Sequence, residues 1–252
     1  MLRNNRPVQS WAKRMIHTAP RLKLQDQYTT QGIPGLLSPN GFKLAWIDQQ
    51  NYLTTKLTLL TNGTSDETRY PFHIAINSAR DQTKQPIFNV ASQCHNNHFF
   101  FEQLTSPLTN TTSPSRDLES RIIDRFGSLD GLKKQFIEES EKIIGQGWVF
   151  LVETESKSLE ILIVNNSGTP YNFSGNLSLD LNGPINSDEF EAWEAIKEHT
   201  LNKTTDWTIP LLGVSLWDHA YVLDYGVGQR AKYVGDALDA INWEVVNKRV
   251  YV

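Results

Sequence analysis

Apolar positions in the first half of the chain recur at helical spacing. From Phe42 to about Leu60, the residues Leu44, Trp46, Ile47, Leu53, Leu57 and Leu60 return at steps of three and four, which predicts a helix closed by the polar stretch Asn62 to Thr68. A second helix is predicted from about Ile87 to Leu104, ahead of a Ser/Thr/Pro/Asn loop at Thr105 to Ser115. Before the first helix, Gln31 to Gly41 holds Gly32, Pro34, Gly35, Pro39 and Gly41 and reads as an extended or turning lead-in. Arg116 to Phe126 and Ser128 to Ile144 read as two further helices, with Ser128 as the cap of the second and Gly131 unusually close to its start.

The period changes at Gly145. Trp148 to Val152 and Leu159 to Val164 are β-rich runs separated by the polar stretch Glu153 to Ser158, and Ile209 to Leu216 supplies a third strand. Asp218 to Val246 returns to helix. The expected architecture is α+β: a helical hairpin over 33–112, then an α/β domain over 113–252 with a small three-stranded antiparallel sheet. An Asn/Gly/Ser-rich passage and the acidic segment Ser187 to Lys197, with Phe190, Trp193 and Ile196 at helical spacing, read as an insertion at about 175–205. That segment is either an interaction helix or one folded back on its own domain.

Composition narrows the setting. With 252 residues and 39% hydrophobic content the chain can bury a substantial core, and no apolar run reaches the roughly 20 residues of a membrane span. A single cysteine, Cys94, excludes an intrachain disulfide and fits a reducing compartment. Asn-x-Ser/Thr triplets occur at Asn62, Asn110, Asn165, Asn172, Asn176 and Asn202. They are discounted as glycosylation sites, because Asn and Thr are abundant and the N-terminus lacks the apolar core of a secretory signal.

Residues 1–25 carry Arg3, Arg6, Lys13, Arg14, Arg21 and Lys23 with no acidic residue, the composition of a mitochondrial transit peptide. A basic tail touching RNA or an acidic partner is the alternative. Without those six charges, 18 basic residues face 28 acidic ones, a balance near −10. Such a body is poorly suited to wrapping nucleic acid. Protein neighbours, or local basic spots at Lys133-Lys134 and Lys248-Arg249, are the expected contacts, with rRNA contact limited.

One stretch is far more specific than periodicity. Pro210-Leu-Leu-Gly-Val-Ser-Leu-Trp-Asp-His-Ala-Tyr221, followed by Tyr233-Val234 and Ile241-Asn242-Trp243, resembles the signature of the iron/manganese superoxide dismutases. Supporting pieces occur in that family's order: Leu37-Ser-Pro39, Asn89 to Phe101, Phe126 to Phe136 and Gly145-Gln-Gly-Trp148. The resemblance implies a metal centre of three histidines and one aspartate. In this chain the family's ligand positions fall on Gln49, Asn97, Ser215 and His219, so only one ligand type remains. Two amides, a hydroxyl and an imidazole offer a cation no anionic ligand against its desolvation, and neither catalysis nor a bound metal or other cofactor is expected. The gating tyrosine position falls on Leu57, whereas Gln93 matches the outer-shell glutamine of the iron-type enzymes.

His95 and His98 form an i, i+3 pair on one helical face that could hold a metal. Neighbouring residues on a helix lie about 100° apart, so His98 would reach the family pocket only if the helix turned, and surface or packing roles are expected of both. In the family, the acid and histidine after the signature tie two subunits together. Here Asp218 and His219 hold those positions, with Leu53 and Val222 at the partner positions, as a candidate interface for a dimer with a related dismutase-like subunit.

No phosphate-binding loop, nucleophile elbow or zinc-spaced cysteine cluster is present. A dismutase framework, a transit-like N-terminus and missing ligands together resemble the dismutase-derived proteins of the fungal mitochondrial small ribosomal subunit. The resemblance implies a non-catalytic structural constituent of that particle in the mitochondrial matrix, with its ribosomal proteins as partners. The competing reading is a mitochondrial superoxide dismutase or a relic metal-binding enzyme.

Overall fold

The computed structural model describes residues 16–171 and 208–250. The insertion expected at 175–205, with its Ser187 to Lys197 segment, lies outside the described residues, as do residues 1–15 of the basic N-terminus.

Helix α1 (Gln25–Gln31) precedes the turning lead-in. The first long helix begins at α2 (Pro39–Phe42), where Ser38 caps the turn by accepting from the Gly41 N–H and Pro39 supplies a preset φ. It passes through a π-helical turn, Lys43–Asp48, and continues as α3 (Gln49–Thr61). Helix α4 (Pro71–Ser78) and a short 3-10 turn lead into α5 (Gln85–Glu102), which packs antiparallel-hairpin fashion on α3 and α4. The hairpin has its own apolar cluster of Leu53, Leu57, Ile74, Ala75, Phe88, Val90, Ala91 and Cys94. Helices α1 and α4 add to the elements expected from periodicity, which needs more than two turns to show.

Helices α6 (Arg116–Phe126) and α7 (Leu129–Glu141) follow. Ser115 caps α6 through the Leu118 N–H, and Gly127 closes it at φ 81°. Ser128 caps α7 by accepting from the Gly131 N–H at 2.9 Å. A Cβ on residue 131 would strike the Phe126 carbonyl, which explains the glycine so close to a helix start.

The sheet is antiparallel with order β2-β1-β3, formed by β1 (Gly147–Thr154), β2 (Leu159–Asn165) and β3 (Thr208–Ser215). Strand β1 lies in the middle and is buried from Gly147 to Glu153, as a near-continuous apolar run requires. The expected C-terminal helix is three: α8 (Asp218–Tyr225), α9 (Arg230–Asp239) and α10 (Trp243–Asn247). Gly226, at φ 81°, ends α8, and Asn242 caps α10 through the Glu244 N–H.

The main core joins the sheet to α5, α7, α9 and the lead-in, around Trp46, Phe100, Phe101, Trp148, Phe150 and Tyr233. It starts earlier than the basic stretch ends: Leu22 is already part of it, and His17 is buried. No described helix is long and apolar enough to cross a membrane.

Candidate functional site

The polar faces of α3 and α5 meet between the two cores. Gln50, only 1% exposed, donates its Nε2 to the Cys94 carbonyl at 3.0 Å and to the Cys94 Sγ at 3.2 Å. Its Oε1 accepts from Asn97 Nδ2 at 3.0 Å, and the same Asn97 nitrogen lies 3.3 Å from the Ala45 carbonyl. Gln49, the position the resemblance assigns to a ligand, is half-buried, and the amide that bonds Asn97 is its neighbour Gln50. The π-helical turn at Lys43–Asp48 precedes both amides and offsets the side chains after it relative to an uninterrupted α-helix. Nothing in the apolar spacing of that segment signals it.

Further along α5, Gln93 donates to Ser167 Oγ at 3.3 Å. Asn96 Nδ2 and Ser92 Oγ both donate to the Gly168 carbonyl, at 2.9 and 3.2 Å. The helix thus clasps the loop after β2 with three neutral side chains.

The signature segment closes the other side. Ser215 ends β3 opposite Trp148, is buried, and accepts from the Trp217 N–H at 3.4 Å. His219 sits in the first turn of α8, 5.7 Å from the Trp217 ring. Burial drives its pKa down to about 4, only partly opposed by the neighbouring Asp218 carboxylate, so it is neutral at physiological pH. Asp218 is exposed and accepts from Gln146 Nε2 at 3.2 Å. Three buried polar atoms around this region, Asn97 Oδ1, Trp148 Nε1 and Trp217 Nε1, make no hydrogen bond among the described residues.

The remaining candidates are placed as follows. Leu57 is fully buried in the hairpin cluster, and Leu53, 4% exposed, packs beside it with no surface to offer a partner. Val222 is half-buried against the main core. His95 and His98 sit in separate aromatic nests. His95 Nε2 lies 2.9 Å from the Tyr171 hydroxyl with the Phe72 ring at 5.1 Å, and burial lowers its pKa to about 3; His98 faces Trp46 at 5.9 Å. Among the described residues no group of three or more His, Cys, Asp or Glu is arranged to hold a metal ion.

Three of the four residues at the expected basic spots are engaged within the chain. Lys133 pairs with Asp239 at 2.7 Å and Lys134 with Glu138 at 3.9 Å. Arg249 stacks on Phe99 at 3.6 Å and donates to Gln103 Oε1, Glu102 Oε2 and the carbonyls of Leu211 and Phe99, which leaves Lys248 as the exposed cation of its pair. Sequence alone reveals neither the acceptors nor the ring beneath Arg249.

A helical hairpin joined to a three-stranded antiparallel sheet, with a Ser-Leu-Trp-Asp-His segment running from β3 into α8, defines a protein of the dismutase fold. The chain matches the iron/manganese superoxide dismutases, C-terminal domain, over residues 114–182 and 186–249, and it belongs to that family. Over 248 residues it is 25% identical to small ribosomal subunit protein mS43 of Schizosaccharomyces pombe, covering 93% of this chain and 84% of that one. Small ribosomal subunit protein mS42 of the same organism is 32% identical over 188 residues, covering 72% and 74%. The manganese superoxide dismutase of Acinetobacter baylyi is 31% identical over 155 residues, covering 62% and 55%.

Proposed function

We propose that this chain is a non-catalytic structural constituent of the mitochondrial small ribosomal subunit. The observation that carries the reading is the bond from Asn97, one of the positions the resemblance assigns to a ligand, to the neighbouring amide of Gln50: a neutral side chain there donates to another neutral side chain. The donors at the degenerate positions, Gln49, Asn97, Ser215 and a neutral His219, are all uncharged and do not fit an iron or manganese ion, whose desolvation needs an anionic ligand. Likeness to two ribosomal proteins over most of the chain supports the same conclusion.

The basic N-terminus acts as the mitochondrial address, and the matrix-side ribosome is the destination. Partners are ribosomal proteins, including a related dismutase-like subunit met through Asp218, His219 and Val222, while Leu53 stays inside the hairpin. RNA contact is local, because Lys133, Lys134 and Arg249 are engaged within the chain.

The test is sucrose-gradient sedimentation of detergent-solubilised mitochondria carrying the tagged protein, with iron and manganese measured on the purified chain. Migration with the small ribosomal subunit and no stoichiometric metal is the expected result. A slowly sedimenting dimer holding metal would restore the enzyme, and a metal-free chain away from the ribosome would make it a free-standing assembly factor.

A further inference from the structure

The basic run at the N-terminus and the folded body overlap. Arg21 and Lys23 belong to the run by composition, yet the chain already docks at His17. The His17 N–H donates to Thr58 Oγ1 at 3.1 Å, its ring Nε2 lies 3.1 Å from Thr61 Oγ1, and the residue is 7% exposed. Both threonines are on the buried face of α3. Five residues later Leu22, 6% exposed, is part of the main core. Its N–H donates to Gln25 Oε1 at 3.2 Å, and the same oxygen accepts from Trp46 Nε1 at 3.2 Å. Residues 17–25 therefore form a strap that touches the hairpin at one end and completes the main core at the other.

Removing that strap would open the main core at Leu22, leave the Trp46 indole N–H without its acceptor, and uncover Thr58 and Thr61. A leader that is discarded contributes no such contacts. We infer that processing of the imported chain ends upstream of His17, so that the strap, with Arg21 and Lys23, stays in the mature protein. This rests on the mitochondrial reading proposed above. The leader's cations are then Arg3, Arg6, Lys13 and Arg14, while Arg21 is a body residue paired with Asp26 at 2.5 Å. The mature chain keeps 20 basic against 28 acidic residues, a balance near −8.

The experiment is mass spectrometry of the N-terminal peptide of the full chain, tagged at its C-terminus and purified from mitochondria. A first residue after Met1 and no later than His17 is expected. A first residue between Thr18 and Gln27 would overturn the boundary while leaving the mitochondrial reading intact. An intact Met1 inside mitochondria would overturn processing altogether, and absence of the protein from mitochondria would overturn the reading beneath it. In parallel, Leu22→Ala is expected to lower the thermal midpoint by roughly 5–10 °C, as for a core leucine. An unchanged midpoint would show a dispensable strap and sink the inference.

Discussion

Glu153, fully buried in the central strand, is held by Arg121 of α6 at 2.7 Å. Lys157 adds a second contact at 3.4 Å from the β1–β2 turn, and Arg121 also donates to the Lys157 carbonyl at 2.7 Å. One carboxylate therefore fixes α6 and the hairpin turn together. Removing its main partner strands a buried charge, so Arg121→Ala is expected to cost about 3 kcal/mol in urea unfolding. Glu153→Gln keeps one acceptor without the charge, and its expected cost is smaller, about 1–2 kcal/mol. Equal effects from the two changes would argue that the ion pair matters only through packing.

Asn97→Ala should cost about 1–3 kcal/mol, because Gln50 Oε1 and the Ala45 carbonyl lose their donor in the interior. Chemical denaturation measures this. Gln50→Leu should cost a similar amount, and the double variant less than the sum, since both remove the same bond. Full additivity would mean that the amide pair does not couple the helices.

Stability should fall as the medium is acidified below about pH 6.5. His95 and His219 have folded pKa values lowered to about 3 and about 4 from 6.5, so the unfolded chain binds more protons between those limits. The stabilisation is complete above pH 6.5, drains away through pH 4 for His219, and continues to drain to pH 3 for His95. Urea midpoints at pH 7.5, 6 and 5 test this against His95→Gln, whose slope over that range should be flatter. Identical slopes would remove His95 from the explanation.

Arg249→Lys should loosen the C-terminal end even though the charge is kept. A lysine offers one ammonium where the guanidinium bonds four acceptors in one plane and stacks on Phe99. Faster limited proteolysis near residue 250 and a lower thermal midpoint are the expected outcomes, with Arg249→Ala more severe. A lysine variant that behaves as wild type would reduce the site to simple charge pairing.

Much of this fold is legible in the chain. Ser128 three residues before Gly131, the apolar run from Trp148 to Val152 and the signature from Pro210 to Tyr221 each announce a local structure that the surrounding packing accepts unchanged. The contact between the helices is less legible, because the wide turn at Lys43–Asp48 leaves no trace in apolar spacing and nothing in the sequence announces the bond from Asn97 to Gln50. Arg249 fails for another reason: a basic side chain beside another basic one reads as solvated until its acceptors, many residues away, are brought beside it. Tertiary partners, not local pattern, decide such residues.

The buried thiol of Cys94 has a practical consequence. It is the chain's sole cysteine, burial pushes its pKa up to about 12, and the Gln50 amide covers its sulfur. Alkylation therefore proceeds only when α5 lifts from α3. The labelling rate, divided by that of a free thiol, gives the opening equilibrium of the helical hairpin alone, so the protein carries its own gauge of how firmly that half is closed before and after it enters an assembly.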